Sequence, residues 1–189
     1  MNGSDNARRI LATLDAQLAA PVELTLYGRA ALHLGFADPP AEFALSNDVD
    51  VVLWLGQAEE LAQHTNFWEA VEATNRLLAE AGLYVSHLFD ETQVILRPCW
   101  REARKPIPGD WRHLKLSRLG DLDLLLSKLM RDDPQDLRDA LFIARVSGLD
   151  EAASVSAFTE ARVPAIAELQ EQFAICRQKF LNRWPARQH

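Results

Sequence analysis

The chain has 189 residues, 48% of them apolar and 25% charged, which is enough to bury a sizeable core and is far from the composition of a disordered segment. No apolar run approaches the roughly 18–20 residues a bilayer span needs, and Met1-Asn2-Gly3-Ser4-Asp5 lacks the basic-then-apolar layout of a signal peptide, so a cytoplasmic location and no membrane partner are expected. The net charge of −7 is uneven: residues 1–96 hold four basic against fourteen acidic groups, and the remainder sixteen against thirteen.

In chain order, Ile10, Leu11, Leu14 and Leu18 fall at helical spacing, predicting a helix over 5–20 that ends before Pro21. A strand is expected at 22–27, running through Gly28 into a short helix at 30–34, with a loop from Gly35 to Pro40. Asp48–Leu55 reads as a second strand, apolar apart from two acids, as in a covered sheet. A helix over 68–81 is expected to stop at Gly82. Leu83–Phe89 and Gln93–Arg97 flank Asp90-Glu91-Thr92 as the arms of a hairpin. From Gly120 the pattern turns helical: Asp121–Met130 with Asp121 as its cap, Asp132–Val146, a short helix from Asp150, and a last one after Pro164 carrying Ile166, Leu169, Phe173, Cys176, Phe180 and Trp184. The expected class is α/β (α+β), a small mixed sheet flanked by helices, with residues 1–118 as an α/β domain and 119–189 as a helical C-terminal region packed on it.

The chemistry sits in Ser46-Asn47-Asp48-Val49-Asp50. Residues two apart on a strand point to one face, so Asp48 and Asp50 lie side by side and repel unless a cation stands between them. A divalent metal with oxygen ligands is the commonest such cation. The Gly28 turn ahead of a helix offers backbone N–H groups to an anion. The plainer alternatives are two acids that end a loop and a glycine that only turns the chain. Seven basic residues between Arg97 and Arg118, with only two acids among them, suit either a polyphosphate or RNA backbone, or simply a solvated loop. Cys99 and Cys176 are expected to be free thiols, and His33, His64, His87 and His113 to be structural.

Tyr27-Gly28-Arg29-Ala30-Ala31-Leu32, followed by Ser46 two residues ahead of Asp48-Val49-Asp50, and later Lys128 with Asp132-Asp133-Pro134-Gln135-Asp136-Leu137, resembles the nucleotidyltransferase-fold superfamily over residues 5–146. The likeness is to minimal bacterial members related to the nucleotidyltransferase-like toxins of abortive-infection systems. It implies the sheet of that fold and a metal-dependent transfer of NMP from an NTP to a hydroxyl of RNA, protein or a small molecule. By the same resemblance, Asp48 and Asp50 would hold Mg2+ (or Mn2+), Gly28 and Arg29 would meet the phosphates, Ser46 would position the strand, and Lys128 would face the cleft as a catalytic cation. Two departures stand beside it. Arg29 replaces the small second turn residue, and Gln93–Arg97 lacks the third carboxylate of active relatives, leaving Asp90 or Glu91 to substitute. The alternative is a catalytically degenerate nucleotide- or partner-binding module, as in a toxin-antitoxin pair. Lys128 then reads as half of a solvated ion pair with Asp132.

Overall fold

A computed structural model describes residues 5–184 and divides the chain into two compact units. One comprises the chain through Glu91 together with Arg104–Arg118; the other comprises Thr92–Ala103 and the chain from Leu119 onward. The described residues form eight α-helices and a five-stranded mixed sheet, an α+β arrangement.

The first unit opens with α1 (Asn6–Gln17), whose first turn is capped by Asp5 accepting from the Arg8 N–H, and which buries Ala7, Ile10, Leu11 and Leu14. Then come β1 (Val22–Tyr27), α2 (Gly28–Gly35), β2 (Asp48–Leu53), α3 (Gln57–His64), α4 (Phe67–Leu78), β3 (Tyr84–Asp90), β4 (Lys105–Pro106) and β5 (Leu114–Arg118). The sheet order is β3-β2-β1-β5-β4. β1 lies antiparallel to β2 and parallel to β5, β2 parallel to β3, and β4 antiparallel to β5. α1 packs on α4, α4 against β3, and α2 against β1 and β2.

α4 begins at Phe67, buries Phe67, Ala70, Val71, Thr74 and Leu78, and leaves Leu77 64% exposed. It does end, through a 3-10 turn, at Gly82 in the left-handed region. α3 has no clear apolar stripe and is anchored by buried Gln57, which accepts from the Trp54 N–H and donates to the Glu23 carbonyl. The expected hairpin is absent: β3 pairs in parallel with β2, and Gln93–Arg97 belongs to the other unit. Val94, Ile95 and Leu96 are buried consecutively there, without the alternation of a two-faced strand. Their neighbourhood takes its hydrogen bonds elsewhere, the Leu96 carbonyl from the Arg162 N–H and the Arg97 N–H to the Asp123 carboxylate.

The second unit contains α5 (Asp121–Ser127), α6 (Pro134–Val146), α7 (Glu151–Glu160) and α8 (Ala167–Asn182). Asp121 is the first helical residue of α5, and Gly120 occupies its N-cap position. α6 is capped by Asp133, accepting from the N–H groups of Gln135 and Asp136, and α7 by Asp150, accepting from that of Ala153. Phe158 of α7 meets Phe173 and Phe180 of α8 edge to face, with centroids 6.1 and 5.9 Å apart. No helix among the described residues is long and apolar enough to cross a membrane.

The basic segment is partly consumed inside the units. Arg104 pairs with Glu23 at 2.6 Å and lies over the Trp54 ring. Arg118 is buried, donates to the Gly35 carbonyl and stacks on Phe36. Arg97 is held by Asp123. These contacts account for three of the basic residues as internal supports rather than a solvated run. Cys99 and Cys176 are free thiols.

Candidate metal centre

β2 places Asp48 and Asp50 on one face, and the chain around them directs each carboxylate. Ser46, two residues ahead of Asp48, donates its hydroxyl to Asp48 Oδ1 at 2.9 Å. On the neighbouring strand Ser86 pairs in register with Asp50, and its Oγ lies 3.2 Å from Asp50 Oδ1 and 3.4 Å from Asp48 Oδ2. One hydroxyl proton serves one of those oxygens at a time. Burial pushes the Asp50 carboxyl above its usual range and the neighbouring Asp48 charge adds to the rise, while His87 and Ser86 oppose it.

The third member is His87. The register of β2 with β3 runs Asp50 to Ser86 and then Val51 to Leu88, so His87 is the extra residue of a β-bulge, with φ +45°. Without the bulge, the residue after Ser86 would point to the opposite face of the sheet. With it, His87 Nδ1 comes to 2.8 Å from Asp50 Oδ1 and 3.1 Å from Ser86 Oγ. One ligand atom from each of Asp48, Asp50 and His87 falls within a 4.8 Å cluster, the only such group of metal-ligating side chains among the described residues.

Gly28 closes the other side. Tyr27 pairs with Asp50 across β1 and β2, and the chain turns at Gly28, φ +71°, straight into α2. A Cβ on Gly28 would stand 2.2 Å from Asp50 Oδ2, so only glycine lets the backbone run this close to the carboxylate. The electropositive start of α2 is thereby set beside the acidic pair. Arg29, in the first turn, holds its guanidinium 5.2 Å from the centre of the Phe43 ring.

Of the residues singled out from sequence, Gly28, Ser46, Asp48 and Asp50 meet, with Arg29 adjoining in the chain. Asp90 and Glu91 do not join them. Asp90 is in register with Leu53, three residues and about 10 Å of strand beyond Asp50. Glu91 accepts from the Leu55 N–H at the same far end. Lys128 lies in the second unit, 6% exposed, its ammonium 3.2 Å from Asp136 and 2.9 Å from Asp139. Asp132, the partner expected for it, pairs with Lys179 at 2.7 Å. His87 escaped sequence reasoning because an isolated histidine has no ligand spacing.

Comparison with protein-family models, with curated proteins and with solved structures finds no match.

Proposed function

We propose that the chain is a divalent-cation-dependent nucleotidyltransferase of the nucleotidyltransferase fold, moving NMP from an NTP to a hydroxyl of RNA, protein or a small molecule. The observation that carries this reading is the pairing of Tyr27 with Asp50, which sets the glycine turn and the start of α2 against the Asp48-Asp50 pair. Metal-ligating carboxylates and an anion-attracting helix start are the two halves of a phosphate-ester site.

The donor set fits a divalent cation, since Asp48 and Asp50 bring their oxygens together on one half-buried face with a single shared hydroxyl, that of Ser86, between them. Mg2+ or Mn2+ is the expected ion, and its chemistry when bound is neutralisation of the triphosphate and of the leaving pyrophosphate. The chain's own contributions are separate from that. Asp48 and Asp50 offer the oxygens, Ser46 and Ser86 fix their orientation, Gly28 keeps the backbone close, and Arg29 adds positive charge to the first turn of α2. Lys128 has no role in this scheme, because its ammonium is committed to Asp136 and Asp139.

A second reading, a nucleotide-binding module without transfer activity that acts through a partner in a toxin-antitoxin pair, is favoured by one observation: a histidine, not a third carboxylate, stands beside the acidic pair. Incubation with α-labelled NTP and Mg2+ or Mn2+ separates the two. Transfer of label to the protein itself, to tRNA or to a co-purified partner, lost in Asp48→Asn/Asp50→Asn, supports the enzyme. Metal-dependent nucleotide binding with no labelled acceptor supports the module.

A further inference from the structure

We propose that His87 is a metal ligand and makes this a mixed nitrogen and oxygen site that takes a divalent first-row transition ion in preference to Mg2+. The inference rests on the reading of Asp48 and Asp50 as cation ligands and adds to it the identity of the cation.

The backbone argues first. Histidine is among the few side chains found in the left-handed region, and here the bulge spends that conformation on turning an imidazole onto the carboxylate face. An edge-to-face contact with Phe89, centroids 5.4 Å apart, steadies the ring. Distance argues second. Two ligand atoms each about 2.1 Å from one ion and at right angles are about 3 Å from each other. The 2.8 Å between His87 Nδ1 and Asp50 Oδ1 fits that spacing, and Asp48 lies in the same 4.8 Å cluster. Chemistry argues third. Mg2+ asks for oxygen ligands in near-octahedral order and sheds water reluctantly, whereas imidazole suits the later first-row ions. The His87 side chain is 53% exposed, which leaves a solvent path for ion entry and for water or phosphate oxygens to fill the remaining positions.

The test compares wild type with His87→Asn, asparagine being a residue that keeps the left-handed backbone. Mg2+, Mn2+ and Zn2+ are titrated calorimetrically, and the Mn2+ forms are examined by pulsed electron paramagnetic resonance for coupling to an imidazole nitrogen. Wild type should bind Mn2+ and Zn2+ more tightly than Mg2+ and show the nitrogen coupling. His87→Asn should keep its fold and its Mg2+ affinity, lose the coupling, and bind Mn2+ and Zn2+ roughly tenfold or more weakly. Nitrogen coupling that survives in the variant, or equal losses for all three ions, overturns the proposal. The outcomes also separate it from the functional reading. Oxygen-only Mn2+ that still supports nucleotide binding sinks the role of His87 alone. Nitrogen-coupled Mn2+ without nucleotide affinity supports that role and sinks the transferase reading. Failure of wild type to bind any divalent ion sinks both.

Discussion

Gly28→Ala is the sharpest probe of how the acidic face is built, because its cost divides into two parts that a second substitution can separate. Alanine at φ +71° costs about 1–2 kcal/mol of backbone strain wherever it stands. The added Cβ would also meet Asp50 Oδ2 at 2.2 Å, Cγ at 3.1 Å and Cβ at 3.3 Å. The carboxylate must then swing away from His87 and Ser86, giving up hydrogen bonds to a charged group worth about 1–2 kcal/mol after relaxation. The expected loss is therefore about 2–4 kcal/mol in wild type, but only about 1–2 kcal/mol in an Asp50→Ala background, where the Oδ2 and Cγ contacts are gone. Urea denaturation in the presence of chelator, followed by both circular dichroism and fluorescence, measures the four members of the cycle. Equal costs in the two backgrounds would refute the close approach of Gly28 to Asp50.

Other outcomes follow from the two units. Asp15 accepts from the N–H groups of Arg112, His113 and Leu114, each at 2.8 Å, so Asp15→Ala should cost about 2 kcal/mol at pH 7 by chemical denaturation. Burial works to raise the Asp15 carboxyl, but those three donors outweigh it and hold the group below its usual value. A depressed carboxyl stabilises the fold above its unfolded pKa of about 4 and loses that contribution as pH falls through its folded value, so wild type and Asp15→Ala should converge below about pH 4. Asp123 is fully buried and takes the Arg97 N–H, Nε and Nη2, the last at 2.7 Å; Asp123→Ala should cost about 3–5 kcal/mol by leaving that guanidinium unpaired, measured by urea unfolding. Lys128→Ala should destabilise by about 2–3 kcal/mol, because Asp139 loses its buried cation while Asp136 keeps Arg131 at 2.8 Å, whereas a solvent-facing lysine would cost less than about 0.5 kcal/mol.

What was legible in the sequence was local. Val22–Tyr27, the turn at Gly28, the Asp48-x-Asp50 strand and the capped helices after Asp133 and Asp150 carry their signals in adjacent residues, and each lies close to where it was expected. The oxygens of the acidic pair share a face because strand periodicity alone demands it. What was not legible depends on pairing at a distance. Nothing in Tyr84–Asp90 announces that it lies parallel to β2 rather than in a hairpin, and only that pairing, with its bulge, carries His87 to Asp50. Leu114–Arg118 hides its strand character behind an exposed Lys115 and an arginine, the composition of a basic loop, although Leu114 and Leu116 alternate into the core. The surroundings of Lys128 are hidden for a related reason. The resemblance implies a cleft-facing cation and the spacing of four from Asp132 the alternative of a surface pair, whereas α5 ends at Ser127 and α6 brings Asp136 and Asp139 to the ammonium, a pairing that no local spacing announces.

The central claim is a cation-dependent nucleotide site built on Asp48 and Asp50, and calorimetric titration of NTP into metal-free protein, with and without Mn2+, tests it most directly. Wild type should bind nucleotide only when the ion is present, and Asp48→Asn/Asp50→Asn, folded by circular dichroism, should bind none in either condition. Nucleotide affinity that is the same in chelator, or that survives in the double variant, would contradict the account.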